Sequence, residues 1–120
     1  MLHESITESI IGAGMKVLNE LKSGLDKKLY ERALVIESVK RGHTIDQQKQ
    51  FPVLYEGVNI GTLIPGVIVD DRVIADPKVV SEFNEAHVAQ MIGYLNITGL
   101  SVALLLIFKH STLKWKRVVR

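Results

Sequence analysis

Nine consecutive residues, Leu100 to Phe108, carry no charge and one polar side chain, Ser101. A membrane-crossing helix needs about 20 apolar residues, so this run is too short to span a bilayer and reads as a strand. A strand that is apolar at nearly every position must be covered on both faces, which demands a central place in a sheet with a layer on either side. The rest of the chain has to supply those layers.

The chain has 120 residues, 47% of them hydrophobic and 23% charged, which is the length and composition of one globular domain over residues 1–120. No repeat, low-complexity stretch or linker divides it. Cysteine is absent, which excludes a disulfide scaffold, a thiolate metal site and cysteine catalysis and suits a reducing compartment; a cytoplasmic location is the expectation. Met1-Leu2-His3-Glu4 lacks the basic start and apolar stretch of a secretory signal, and no contact with membrane is expected. Charge is unevenly spread. Residues 109–120 hold Lys109, Lys114, Lys116, Arg117 and Arg120 and no acid, leaving ten of the 15 Lys and Arg against all 13 Asp and Glu. This basic C-terminal segment reads either as a solvated tail or as a surface for phosphate or an acidic partner.

Ser5-Ile6-Thr7-Glu8 matches a capping box, and Ile6, Ile10, Val17 and Leu21 follow at helical spacing, predicting a helix over about 5–21. Lys22-Ser23-Gly24 ends it. Asp26 caps a second helix along the stripe Leu29, Ala33, Ile36 and Lys40, which stops at Gly42. Extended segments are expected at Ile45–Tyr55 and Val58–Val69, the latter bent at Pro65-Gly66, with a turn at Asp70-Asp71 into a strand over Arg72–Val80. Pro77 in that strand argues for an edge face or a bulge. A third helix over about Ser81–Thr98 turns Phe83, His87, Gln90, Met91, Tyr94 and Leu95 to one side, and Leu113–Val119 can form a last strand. The order ααβββαβ(β) predicts an α+β fold, a central mixed sheet flanked by helices.

The chain resembles a known family across about Glu4 to Val119. The resemblance is carried by Ile10-Ile11-Gly12-Ala13, Gly24-Leu25, Tyr30-Glu31, Ala33-Leu34, Pro52-Val53, Tyr55-Glu56-Gly57-Val58, His87, Gln90, Tyr94-Leu95 and Thr98-Gly99-Leu100. In their order and spacing these residues resemble the GxxExxY family, a branch of the PD-(D/E)XK nuclease-like superfamily. That resemblance implies a nuclease-like core. It also implies carboxylates converging on magnesium, which activates a bound water and neutralises charge on the scissile phosphate, with a lysine orienting the water.

Carried over position by position, the family's motif glutamate falls on Lys27, between the anchors Gly24 and Tyr30. The strand aspartate falls on Gly66, and the Glu-x-Lys pair on Asp76-Pro77-Lys78. One carboxylate between two ammonium groups is a poor magnesium site, because both lysines repel a cation. A rescue needs a carboxylate from elsewhere, with Glu31, Asp70, Asp71 and Glu85 the nearest in sequence.

The expected function is therefore non-catalytic binding on a nuclease-like fold, the partner being nucleic acid, another anionic ligand or an acidic protein surface, with no metal or cofactor held. Ligand-binding candidates are Tyr30, Lys78, His87, Gln90 and Tyr94. Gln90 and Tyr94 lie four apart on one helix face and either line the cleft or fill the core. Tyr30 has a packing reading and a cleft reading. His87 is either simply hydrogen-bonded or an axial ligand. Two alternatives stand beside this reading: a magnesium-dependent nuclease with relocated acids, and a carrier of a haem- or cobalamin-type cofactor through a histidine. A homodimer is compatible with all three. Gly12-Ala13-Gly14 lacks the preceding strand and the following Lys-Ser/Thr of a phosphate loop, and close helix packing explains it better. Trp115 among Lys114, Lys116 and Arg117 has either a packing role or a base-stacking one.

Overall fold

In the computed structural model, which describes residues 1–120, the apolar run becomes the strand β6 (Val102–Ile107), buried along its whole length. Its neighbours are β5 (Val73–Lys78), which is parallel to it, and β7 (Lys114–Val119), which is antiparallel. Beyond β5 lie β4 (Val67–Val69) and β1 (Ile45–Asp46), giving a five-stranded mixed sheet in the order β1-β4-β5-β6-β7. The parallel step between β5 and β6 requires a crossover, which α3 (Glu85–Thr98) provides.

Because side chains alternate along a strand, β5 and β6 feed two separate cores. Val73, Ala75, Val102, Leu104 and Leu106 meet Ile10, Ala13, Val17 and Leu18 of α1 (Glu4–Leu21), and Tyr30 and Leu34 of α2 (Lys27–Lys40). Ile74, Ala103 and Leu105 meet Met91 and Leu95 of α3 on the other face. Fully burying each large side chain contributes about 1.5–3 kcal/mol, so both layers are needed to hold β6. The molecule is an α+β domain with a mixed sheet between helices.

Two extended segments differ from the sequence reading. Ile45–Tyr55 is not one strand: Ile45–Asp46 joins the main sheet, and β2 (Phe51–Tyr55) pairs with β3 (Val58–Leu63) in a separate hairpin. Val58–Val69 is likewise divided, β3 in the hairpin and β4 in the sheet. Pro65 has no N–H for a ladder, and Gly66 sits at φ 94°, a left-handed conformation that breaks strand continuity. Each predicted strand therefore serves two sheets.

Helix starts also differ. The Ser5–Glu8 capping box does not form; α1 begins at Glu4 after His3, which makes no side-chain cap. The third helix begins at Glu85 rather than Ser81. Asn84 sets that start, its side chain accepting from the His87 N–H at 3.0 Å while its own N–H donates to His87 Nδ1 at 3.2 Å. Gly14 permits close packing, since a Cβ there would stand 3.0 Å from Leu113 Cδ2.

Candidate functional site

β4 stops opposite Ala75, so the next residues of β5, Asp76 to Lys78, have β6 beside them on one side and no strand on the other. Pro77, without an N–H, sits in this stretch at no cost to a second ladder. The gap beside it is a cleft of about 200 Å³. Lys27 and Glu31 from α2, Ile64-Pro65-Gly66 from the connector, Asp76 and Lys78 from β5, and Gln90 and Tyr94 from α3 line it. Lys27 and Glu31 share a face because they stand one helical turn apart. Asp76 and Lys78 share a face because strand side chains repeat every two residues.

Asp76 is the hub. Lys78 Nζ lies 3.2 Å from its Oδ2 and Lys27 Nζ 3.6 Å from its Oδ1, so each carboxylate oxygen faces its own ammonium. The Asp76 and Lys78 side chains are only 13% and 14% exposed, whereas Lys27 is 46% exposed and presents its charge to solvent. Lys78 also donates to Gln90 Oε1 at 3.4 Å, and Gln90 Nε2 donates to the Tyr94 hydroxyl at 3.1 Å. The chain of contacts runs Lys27–Asp76–Lys78–Gln90–Tyr94 across three elements.

The four positions carried over from the family motif, Lys27, Gly66, Asp76 and Lys78, all lie on this cleft, as do Gln90 and Tyr94. Two other candidates do not. Tyr30 is fully buried, stacked on Phe108 with ring centroids 4.9 Å apart. Its hydroxyl donates to the Lys22 carbonyl at 2.6 Å and accepts from the Leu25 N–H at 3.1 Å, so it ties down the α1–α2 connection and has no capacity left for a ligand. His87 accepts the Asn84 N–H at its Nδ1 in the α3 cap and does not line the cleft. Of the carboxylates weighed as replacements, only Glu31 lines the cleft. Asp70 and Asp71 form the β4–β5 turn, Asp71 pairing with Lys49 at 3.4 Å, and Glu85 opens α3. Ile64, and Pro65, which sequence reasoning read only as a bend, also line the cleft, and the strand break at Pro65 was the signal for them.

Magnesium, which the nuclease fold implies, prefers an octahedron of oxygens with carboxylates among them. Here both oxygens of Asp76 are committed to lysines, position 66 has no side chain, and position 27 brings a cation. No group of three or more His, Asp or Glu side chains converges anywhere in the fold. This donor set does not fit the ion.

The basic C-terminal segment is not a solvated tail. It forms the edge strand β7, where Arg117 Nη1 donates to Thr7 Oγ1 at 3.1 Å and its Nη2 to the Leu2 carbonyl, while Arg120 reaches the Gly99 carbonyl at 3.1 Å. Lys114, Trp115 and Lys116 stay exposed.

A family model of the PD-(D/E)XK nuclease superfamily matches residues 4–118. The chain belongs to that superfamily. No curated protein and no solved structure matches it. No helix is long and apolar enough to cross a membrane.

Proposed function

We propose that this chain is a non-catalytic member of its superfamily, finer kin to the GxxExxY group, whose cleft binds the phosphate backbone of nucleic acid without a metal ion. The observation that carries this reading is Asp76 held between Lys27 and Lys78. Two ammonium groups face one carboxylate; Glu31 on the same cleft brings the formal charge to zero, but Lys27 presents its ammonium at the exposed rim to an incoming phosphate oxygen. Gln90 and Tyr94 supply neutral hydrogen-bonding groups on the opposite wall. The relocated-acid nuclease has only Glu31 to draw on, one carboxylate too few to rebuild a three-acid site.

Fluorescence anisotropy with labelled single- and double-stranded DNA and RNA tests this, with magnesium and with EDTA. Binding is expected to be indifferent to chelator and to weaken steeply as salt rises, with no cleavage product on a gel. Lys27→Glu and Lys78→Ala should each weaken it about tenfold, roughly 1.4 kcal/mol. Chelator-sensitive cleavage, or the absence of any binding at low salt, overturns the reading.

A further inference from the structure

We propose that Ser9, His43 and Asp70 form a serine-activating relay that transfers short acyl groups to water, independently of the cleft. His43 lies in the loop after α2, Ser9 in α1 and Asp70 in the β4–β5 turn, so three separate elements meet here. His43 Nδ1 is 2.7 Å from Asp70 Oδ2, and His43 Nε2 is 2.6 Å from Ser9 Oγ. An ionised carboxylate only accepts, so in neutral His43 the Nδ1 carries the proton and the Nε2 lone pair faces the serine hydroxyl. That is the order of contacts by which a carboxylate orients an imidazole and the imidazole draws the proton from a nucleophile.

The relay is held from behind. Asp70 Oδ1 accepts the Thr44 N–H at 2.9 Å, and the Asp70 N–H donates to the Thr44 carbonyl at 2.8 Å, fixing the carboxylate against the histidine loop. Burial pushes the Asp70 carboxyl up, but the hydrogen bonds from His43 and Thr44, with the positive charges of His43 and Arg72, hold it below the usual carboxylate range. Ser9 Oγ turns to His43 instead of bonding back to a carbonyl of its own helix. One turn further along the same helix face, the Arg41 guanidinium lies over Gly12, its Nη1 2.8 Å from where a Cβ would stand, and Glu37 anchors it at 3.1 Å.

In the reaction Ser9 Oγ bonds to the ester carbonyl carbon and passes its proton to His43 Nε2. The carbon–oxygen bond to the alcohol then breaks, and the alcohol leaves with that proton. Water attacks the acyl-serine, His43 takes and returns its proton, and the carboxylic acid departs with Ser9 restored. Ser9, His43 and Asp70 are partly exposed, so a small activated ester can reach them from solvent. Asp70 is a positioning residue; Ser9 and His43 act on the substrate.

The test is covalent labelling of the full chain with a fluorophosphonate probe, read by intact mass and peptide mapping, together with p-nitrophenol release from p-nitrophenyl acetate. One adduct on Ser9 and turnover beyond one equivalent are expected. Ser9→Ala should abolish both, His43→Ala should slow both at least tenfold with recovery on adding imidazole, and Asp70→Glu should retain more rate than Asp70→Asn. An unlabelled wild-type protein overturns the proposal whatever the variants do. So does a label on another residue, or undiminished rates in His43→Ala.

Discussion

Lys27 Nζ stands 3.6 Å from Asp76 Oδ1, although Lys27 is the first residue of α2. The positive end of a helix dipole is an unfavourable place for an ammonium, by about 0.3–1 kcal/mol against an acid there. No acid occupies the first turn of α2, and Asp26 makes no side-chain cap. The helix start is electrostatically poor on its own, and the ion pair to Asp76 offsets it. Local helix stability does not explain the lysine; the cleft does.

Lys27→Glu should therefore create what the wild-type cleft lacks. It places a third carboxylate near Glu31 and Asp76 and relieves the dipole. Thermal melts of the variant are expected to rise with Mn²⁺, by about 1.4 kcal/mol of stability at ten times the dissociation constant. Wild-type melts should be indifferent to it. A variant equally indifferent would falsify the assignment of Lys27 to the metal-excluding position.

Gly66→Asp should not restore the site by itself. A side chain has open space there, but φ 94° strains any residue with a Cβ. The expected cost is about 1–3 kcal/mol in urea denaturation, with no gain in Mn²⁺ affinity. A variant as stable as wild type would show that the connector relaxes freely.

Tyr30→Phe isolates the hydroxyl from the ring. The stack on Phe108 survives, while the Lys22 carbonyl and the Leu25 N–H lose their partner. The loss should be about 1–3 kcal/mol, with nucleic-acid affinity unchanged once the protein is folded. A selective loss of affinity would return Tyr30 to the cleft.

Asp70 makes stability depend on acid. A carboxyl held below its unfolded value, about 3.9, stabilises the fold above that value, and the contribution disappears as pH falls through the lower folded value. The stability difference between wild type and Asp70→Asn should shrink as pH falls below about 4. A difference that persists unchanged into strong acid would remove the interaction with His43 and Thr44 as its cause.

What the sequence made legible, and what it did not, follows from range. β6 was readable because a run apolar at nearly every position has one physical solution, and the Asp70-Asp71 turn because two aspartates stand between β-rich runs; both take positive φ in the structure. The proximity of positions 27, 66, 76 and 78 came from the family resemblance, which carries its motif onto them, and not from the residues alone. The hairpin was not: alternation in Phe51–Tyr55 shows a strand without saying which sheet receives it. Helix starts misled for a local reason, as Ser5 and Glu8 had the right identities while Asn84 and His87 had the right geometry. Tyr30 had a cleft reading beside the favoured packing one, and Lys22 and Leu25 claim its hydroxyl for packing. The meeting of Ser9, His43 and Asp70 left no trace in spacing, since 34 and 27 residues separate the partners.

The left-handed backbone at Gly66 also bears on how this lineage can change. Replacing it with an acid is a small genetic step, but the connector is shaped around a residue without a Cβ, so the change arrives with a folding penalty. If the cleft binds without cutting, as proposed above, acquiring cleavage would take several coordinated replacements rather than one.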